Sequence, residues 1–222
     1  MLDPIGKFLT SLLNALPKLY SLYRDNKQED KIVELFESYF ILTSLTITAD
    51  EIISLARGRD VIKFSELTDK ELEAHYSHVQ SYLTLQFQRL KRLGDIFMSN
   101  PTIDLLDSKI KLDLQSAIGG KEKGLYTLGA GLFFNQIFGN AGKENEPEKA
   151  RKVRIVKEKY DFAASVTKAD SIEVSEQAEI VNNFKELSEQ YRSLLDNLVE
   201  PKHKILLAKR AKELSNIYSV RL

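Results

Sequence analysis

Between Thr68 and Met98 the chain keeps one apolar helical face throughout, and no other stretch constrains the fold as strongly. The run opens on Thr68-Asp69-Lys70-Glu71, in which the threonine hydroxyl can accept from a free backbone N–H while Glu71 reaches back to the cap residue. Leu72, Tyr76, Val79, Leu83, Phe87, Leu90, Leu93 and Phe97 then recur at steps of three or four, with Lys70, Glu73, Ser77, Gln88 and Asp95 on other sides. At about 1.5 Å per residue such a helix is about 45 Å long, so its stripe needs several packing partners. Gly94 is the one residue within it that disfavours helix.

The remaining segments also read as helices. Leu2 to Tyr23 has Asp3 and Pro4 at its start and a broad stripe that includes Phe8, Leu12, Leu16 and Leu19; Pro17 predicts a kink or break near Leu13 to Leu16. Thr10, Ser11 and Asn14 interrupt its apolar run and no basic residue precedes it, so it is expected to belong to the fold rather than to act as a signal peptide. Ile32 to Phe40 continues with helical spacing. Ile41 to Ile47 is rich in β-branched residues, but no partner strand is evident, and helix is expected there too. Thr48 and Glu51 have capping-box spacing and suggest a fresh helical turn before Gly58.

Asn100-Pro101 starts a further helix to about Ala117, and Pro147 another to about Ala164. From about Ser171 to Val199, Ile180, Phe184, Leu187, Tyr191, Leu194 and Leu198 form a heptad seam, and after Pro201 the residues Ile205, Leu206, Ala208, Leu214, Ile217 and Tyr218 support a last helix. The expected fold is therefore all-α: a single-domain irregular bundle of about seven helices around 68–98.

The segment 119–142 departs from this pattern. Seven of the ten glycines lie in it, and 124–142 holds no charged residue. A helix there would carry Gly129 and Gly131 in its interior at about 1 kcal/mol each relative to alanine, which implies a close neighbour. Phe133 and Phe134 fall in the same run; it is a poor membrane span, because Thr127, Asn135, Gln136 and Asn140 interrupt it.

No catalytic signature emerges. Without cysteine, thiolate chemistry and disulfides are excluded. Glu71, His75 and His78 share a helix face and could present a carboxylate and two imidazoles to a metal, but no second set of ligands completes the pattern; they are expected to hydrogen-bond beside the apolar stripe, with no metal or cofactor. Gly119-Gly120-Lys121-Glu122-Lys123-Gly124 lacks the Lys-Ser/Thr ending of a phosphate loop.

Lys plus Arg equals Asp plus Glu at 32 each, so no overall field draws the chain to nucleic acid or anionic lipid. Locally, Lys149, Arg151, Lys152 and Arg154 begin a basic helix that continues to Lys159, but its cations surround the helix and aromatic stacking partners are sparse. The expectation is a cytoplasmic, non-catalytic interaction or scaffold protein, self-associating or a subunit of a larger complex. Its contact candidates are Leu12, Leu16, Gly129, Gly131, Phe133, Phe134, Leu187 and Tyr191. A membrane-surface protein using the N-terminal helix and 124–142 is the second reading, and a nucleic-acid-associated protein using 149–159 the third.

Overall fold

A computed structural model describes residues 2–98, 100–106, 108–118, 146–167, 169–170 and 173–216. These residues form eight α-helices and one short 3-10 turn, with no strand among them. The helices are α1 (Leu2–Asp25), α2 (Glu29–Gly58), α3 (Asp69–Phe97), α4 (Pro101–Leu106), α5 (Ser108–Ile118), α6 (Glu148–Thr167), α7 (Val174–Leu198) and α8 (Pro201–Asn216). The glycine-rich segment, with Gly129, Gly131, Phe133 and Phe134, lies outside the described residues.

The start of α3 forms as its sequence dictates. Thr68 Oγ1 accepts from the Glu71 backbone N–H at 3.3 Å, and Glu71 Oε2 accepts from the Thr68 backbone N–H at 2.7 Å. The Thr68 backbone N–H, and next the Thr68 hydroxyl donating to the same Oε2 at 2.7 Å, hold the Glu71 carboxyl below its ordinary range. At the other end, Gly94 is tolerated in the last turn, where its carbonyl accepts from the Met98 N–H at 2.8 Å.

α2 meets more of the bundle than α3 does: it packs against α1, α3, α6, α7 and α8, whereas α3 packs against α2, α5 and α6. Residues are buried on every side of α2, from Ile32 and Phe36 to Leu42, Leu45, Ala49 and Ile53, the pattern of a core helix. By length and composition α2 passes as a membrane span, yet two thirds of its most apolar window, 67%, is buried inside the fold. It runs without interruption through Thr48, so the capping-box spacing starts no new helix there; the Thr48 hydroxyl instead donates to the Ser44 carbonyl at 2.8 Å, one turn back.

α1 likewise is one helix through Pro17, where a kink or break near Leu13 to Leu16 was expected; the break does not occur. Leu12, Leu13, Leu16 and Leu19 are all buried in one cluster, so packing on both sides of the proline stabilises the helix through it. Two apolar clusters result. The larger joins α1, the first half of α2, the end of α3, α4, α5, α7 and α8; the smaller joins the end of α2, the first half of α3 and α6. Near their boundary lies a polar layer: Gln86 Nε2 donates to the Leu45 carbonyl, and Arg89 donates to the Ser44 carbonyl at 2.9 Å and to the Thr48 hydroxyl. The half-buried arginine gains from those acceptors, because desolvation works against its charge and lowers its pKa.

Candidate functional site

The chemistry-bearing side chains gather at the smaller cluster, where the loop after α2 meets α3 and α6. Phe64 comes from the loop, His75 from α3 and Tyr160 from α6. Their rings contact one another edge-on or tilted, with centroids 5.3 Å apart for Phe64–Tyr160 and 5.9 Å for Phe64–His75. His75 Nδ1 lies 2.7 Å from the Tyr160 hydroxyl, which satisfies the polar tip of a buried ring. Burial also raises the Tyr160 pKa, so the phenol stays protonated at neutral pH.

Above these rings lies a surface cavity of about 290 Å³ lined by Arg59, Asp60, Ile62, Phe64, Lys157, Tyr160 and Asp161. Arg59 is committed to its own neighbours: it donates twice to the Asp170 carboxylate, at 2.9 and 2.8 Å, once to the Ala56 carbonyl at 2.7 Å, and has Asp161 at 3.3 Å. The Asp170 bond is the main reason its pKa rises. Asp60, Lys157 and Asp161 complete the charged lining around the held arginine and the packed rings.

Glu71, His75 and His78 share a face but not a task. Glu71 is taken up by the cap, His75 by Tyr160, and the His78 ring stacks at 5.0 Å on Tyr82. Among the described residues no three His, Asp or Glu side chains are placed to hold a metal ion.

Among the described residues, two of the six cations of α6 have carboxylate partners. Lys152 pairs with Asp69 and Glu148, and Arg154 with Glu146 and Glu158; these bonds raise both pKa values. Lys149 is exposed and Arg151 half-buried. Lys159 turns inward instead: it is 0% exposed, its ammonium has no hydrogen-bond partner among the described residues, and the Tyr76 ring lies 5.7 Å away. Desolvation lowers its pKa from 10.5 to about 8.

The unfolded chain therefore binds the Lys159 proton more tightly than the folded one. The resulting penalty is fully present below pH 8 and disappears as pH rises from 8 to 10.5. At about 1.4 kcal/mol per tenfold change in proton affinity, it amounts to about 3 kcal/mol at neutral pH. Lys159→Met is expected to raise stability by about that much at pH 7, with the advantage shrinking towards pH 10. Denaturation curves of both proteins across this range check it, and a constant difference would show that the amine reaches water.

Leu12 and Leu16 of α1 are 0% exposed inside the larger cluster, so the chain's own core occupies them and they offer no surface to a partner. Tyr191 is buried too, its hydroxyl 2.9 Å from the Ser38 hydroxyl and donating to the Leu35 carbonyl at 3.1 Å. Leu187 is half-buried against the same cluster. The inward line of α7 is Val181, Phe184, Ser188, Tyr191 and Leu195, one residue to the side of the expected seam at three positions. α7 therefore packs on α1 and α2 of its own chain through this face.

α8 turns Ala211 inward, with Leu207, Ala208 and Leu214 half-buried beside it. Ile205 and Leu206, which with their neighbours support this helix in the sequence, stand outward at 78% and 68% exposed, flanked by exposed Lys202 and Lys209. The sequence reading missed this surface because Ile205-Leu206-Leu207-Ala208 is apolar at four consecutive positions and gives no phase. Compared with known proteins, the chain matches no protein-family model, no curated protein and no solved structure.

Proposed function

We propose that the chain is a non-catalytic interaction protein, self-associating or a subunit of a larger complex, whose contact surface is the outward face of α8. The observation that carries this reading is the adjoining pair Ile205 and Leu206, exposed on the side of the helix opposite Ala211. Single exposed aliphatic residues are ordinary on a soluble protein; two adjoining ones framed by lysines make the mixed apolar and charged surface that a partner covers. The membrane reading loses its N-terminal helix, because α1 is buried, while its segment 124–142 lies outside the described residues; cations around the apolar pair of α8 also suit anionic lipid. The nucleic-acid reading keeps Lys149, Arg151 and Lys157 but loses half of its six cations, because Lys152 and Arg154 are paired within the chain and Lys159 is buried.

A photo-crosslinking residue in place of Leu206, compared with one in place of the exposed Glu51, tests the proposal in cells. Protein adducts of defined mass at position 206 and none at position 51 are expected. Adducts to lipid alone, or equal labelling at both sites, would count against it.

A further inference from the structure

We infer that the outward face of α8 is occupied by a second copy of this chain, through the outward acidic face of α7. This deepens the interaction reading above and rests on it.

The two helices are charged oppositely in an otherwise neutral protein. α8 carries five Lys or Arg side chains against Glu213 alone, and α7 carries five carboxylates against Lys185 and Arg192. Bonds within the chain use part of each set: Lys204 with Asp196, Arg210 with Asp30 and Arg192 with Glu189. Among the described residues Lys209 and Lys212 on α8 and Glu176, Glu179 and Glu186 on α7 are left without an ion-pair partner, as are the opposite charges Lys185 on α7 and Glu213 on α8, and all seven are exposed. Lys202 has only Glu200, and both are about 70% exposed, at 71% and 69%, where such a pair is weak.

The spacing matches as well as the sign. Lys202 and Lys209 are seven residues apart, as are Glu179 and Glu186, so each pair stands on one ridge about 10.5 Å apart along its helix. Between the lysines project Ile205 and Leu206. Between the glutamates lie the exposed Asn182 and Asn183, whose side chains are shorter than those of the glutamates flanking them. Because each copy carries both faces, a two-fold arrangement makes the contact twice.

Sedimentation velocity on the full chain at about 50 µM tests this, a concentration suited to a small, charge-steered interface. The parent is expected at twice its 25.3 kDa mass at about 50 mM salt, weakening about tenfold by about 500 mM as the charges are screened. Lys202→Glu with Lys209→Glu, and separately Glu179→Lys with Glu186→Lys, should each weaken the dimer at least about tenfold. Mixing the two charge-reversed proteins should restore a dimer of one copy each, which no general loss of folding or solubility would produce.

A parent that stays monomeric at low salt overturns the inference, as does a dimer indifferent to both reversals or a mixture that fails to pair. If the parent is monomeric but binds phosphatidylserine vesicles, and Lys202→Glu with Lys209→Glu abolishes that binding, the occupant is an anionic bilayer and self-pairing is wrong. If it is monomeric while position 206 crosslinks to a different protein, self-pairing is wrong and the interaction reading stands. With neither adduct nor dimer, both are wrong.

Discussion

Arg92→Ala is expected to lower the unfolding free energy by about 3 to 5 kcal/mol, although Arg92 itself is partly exposed. Its partner sets the magnitude. Glu37 of α2 is 0% exposed, and its carboxylate accepts two parallel bonds from the Arg92 guanidinium, at 2.8 and 2.7 Å, with Glu34 at 3.9 Å from the same group. Removing the guanidinium strands a carboxylate inside the bundle, where its desolvation has no remaining compensation. The double variant Glu37→Leu with Arg92→Leu removes both charges and should recover most of the loss, because an apolar pair of similar volume carries no desolvation penalty. Denaturant unfolding of the three proteins checks this. A loss below about 1 kcal/mol in the single variant would mean that water reaches Glu37.

That pair shows where reading the sequence stops. Glu37 and Arg92 lie 55 residues apart, and no local pattern couples them. Local chemistry was legible: the Thr68–Glu71 cap forms as its spacing dictates, Pro201 opens α8, and the apolar face of α1 is buried. Phase and continuity were legible only in part. The heptad reading of α7 placed Leu187 on the seam; with about 3.6 residues per turn the line drifts, and Ser188 takes the inward position while Leu187 sits at its edge. Thr48 and Pro17 resemble helix boundaries when read singly, yet tertiary packing carries α2 and α1 through both.

The cavity residues come from 59–64 and 157–161, two stretches without a motif that meet only because α6 packs on α2 and α3. The α8 face had a visible composition but no visible side. Its outward pair emerges only once Ala211 is seen to be the inward residue.

The largest single-residue effect on the core is expected at Phe8, and it separates core from contact surface. Phe8 is 0% exposed and meets Phe97 edge-on, with ring centroids 5.3 Å apart and planes at 65°. Phe8→Ala removes the transfer energy of the ring and leaves a cavity, together about 3 to 5 kcal/mol. The site collapses poorly, because Phe97 is fixed at the end of α3 and Leu12 one turn along α1, each packed on other members of the cluster. For a chain of this size the expected fall in Tm is roughly 10 °C. Leu206→Ala, on the exposed side of α8, should change stability by less than about 0.5 kcal/mol while weakening assembly. Calorimetry and solution mass on both variants therefore give opposite signatures: Phe8→Ala lowers the melting temperature and leaves assembly at low temperature intact, and Leu206→Ala does the reverse. A Phe8→Ala protein that melts with the parent but loses its partner would instead place α1 at an interface and return Leu12 and Leu16 to the contact surface.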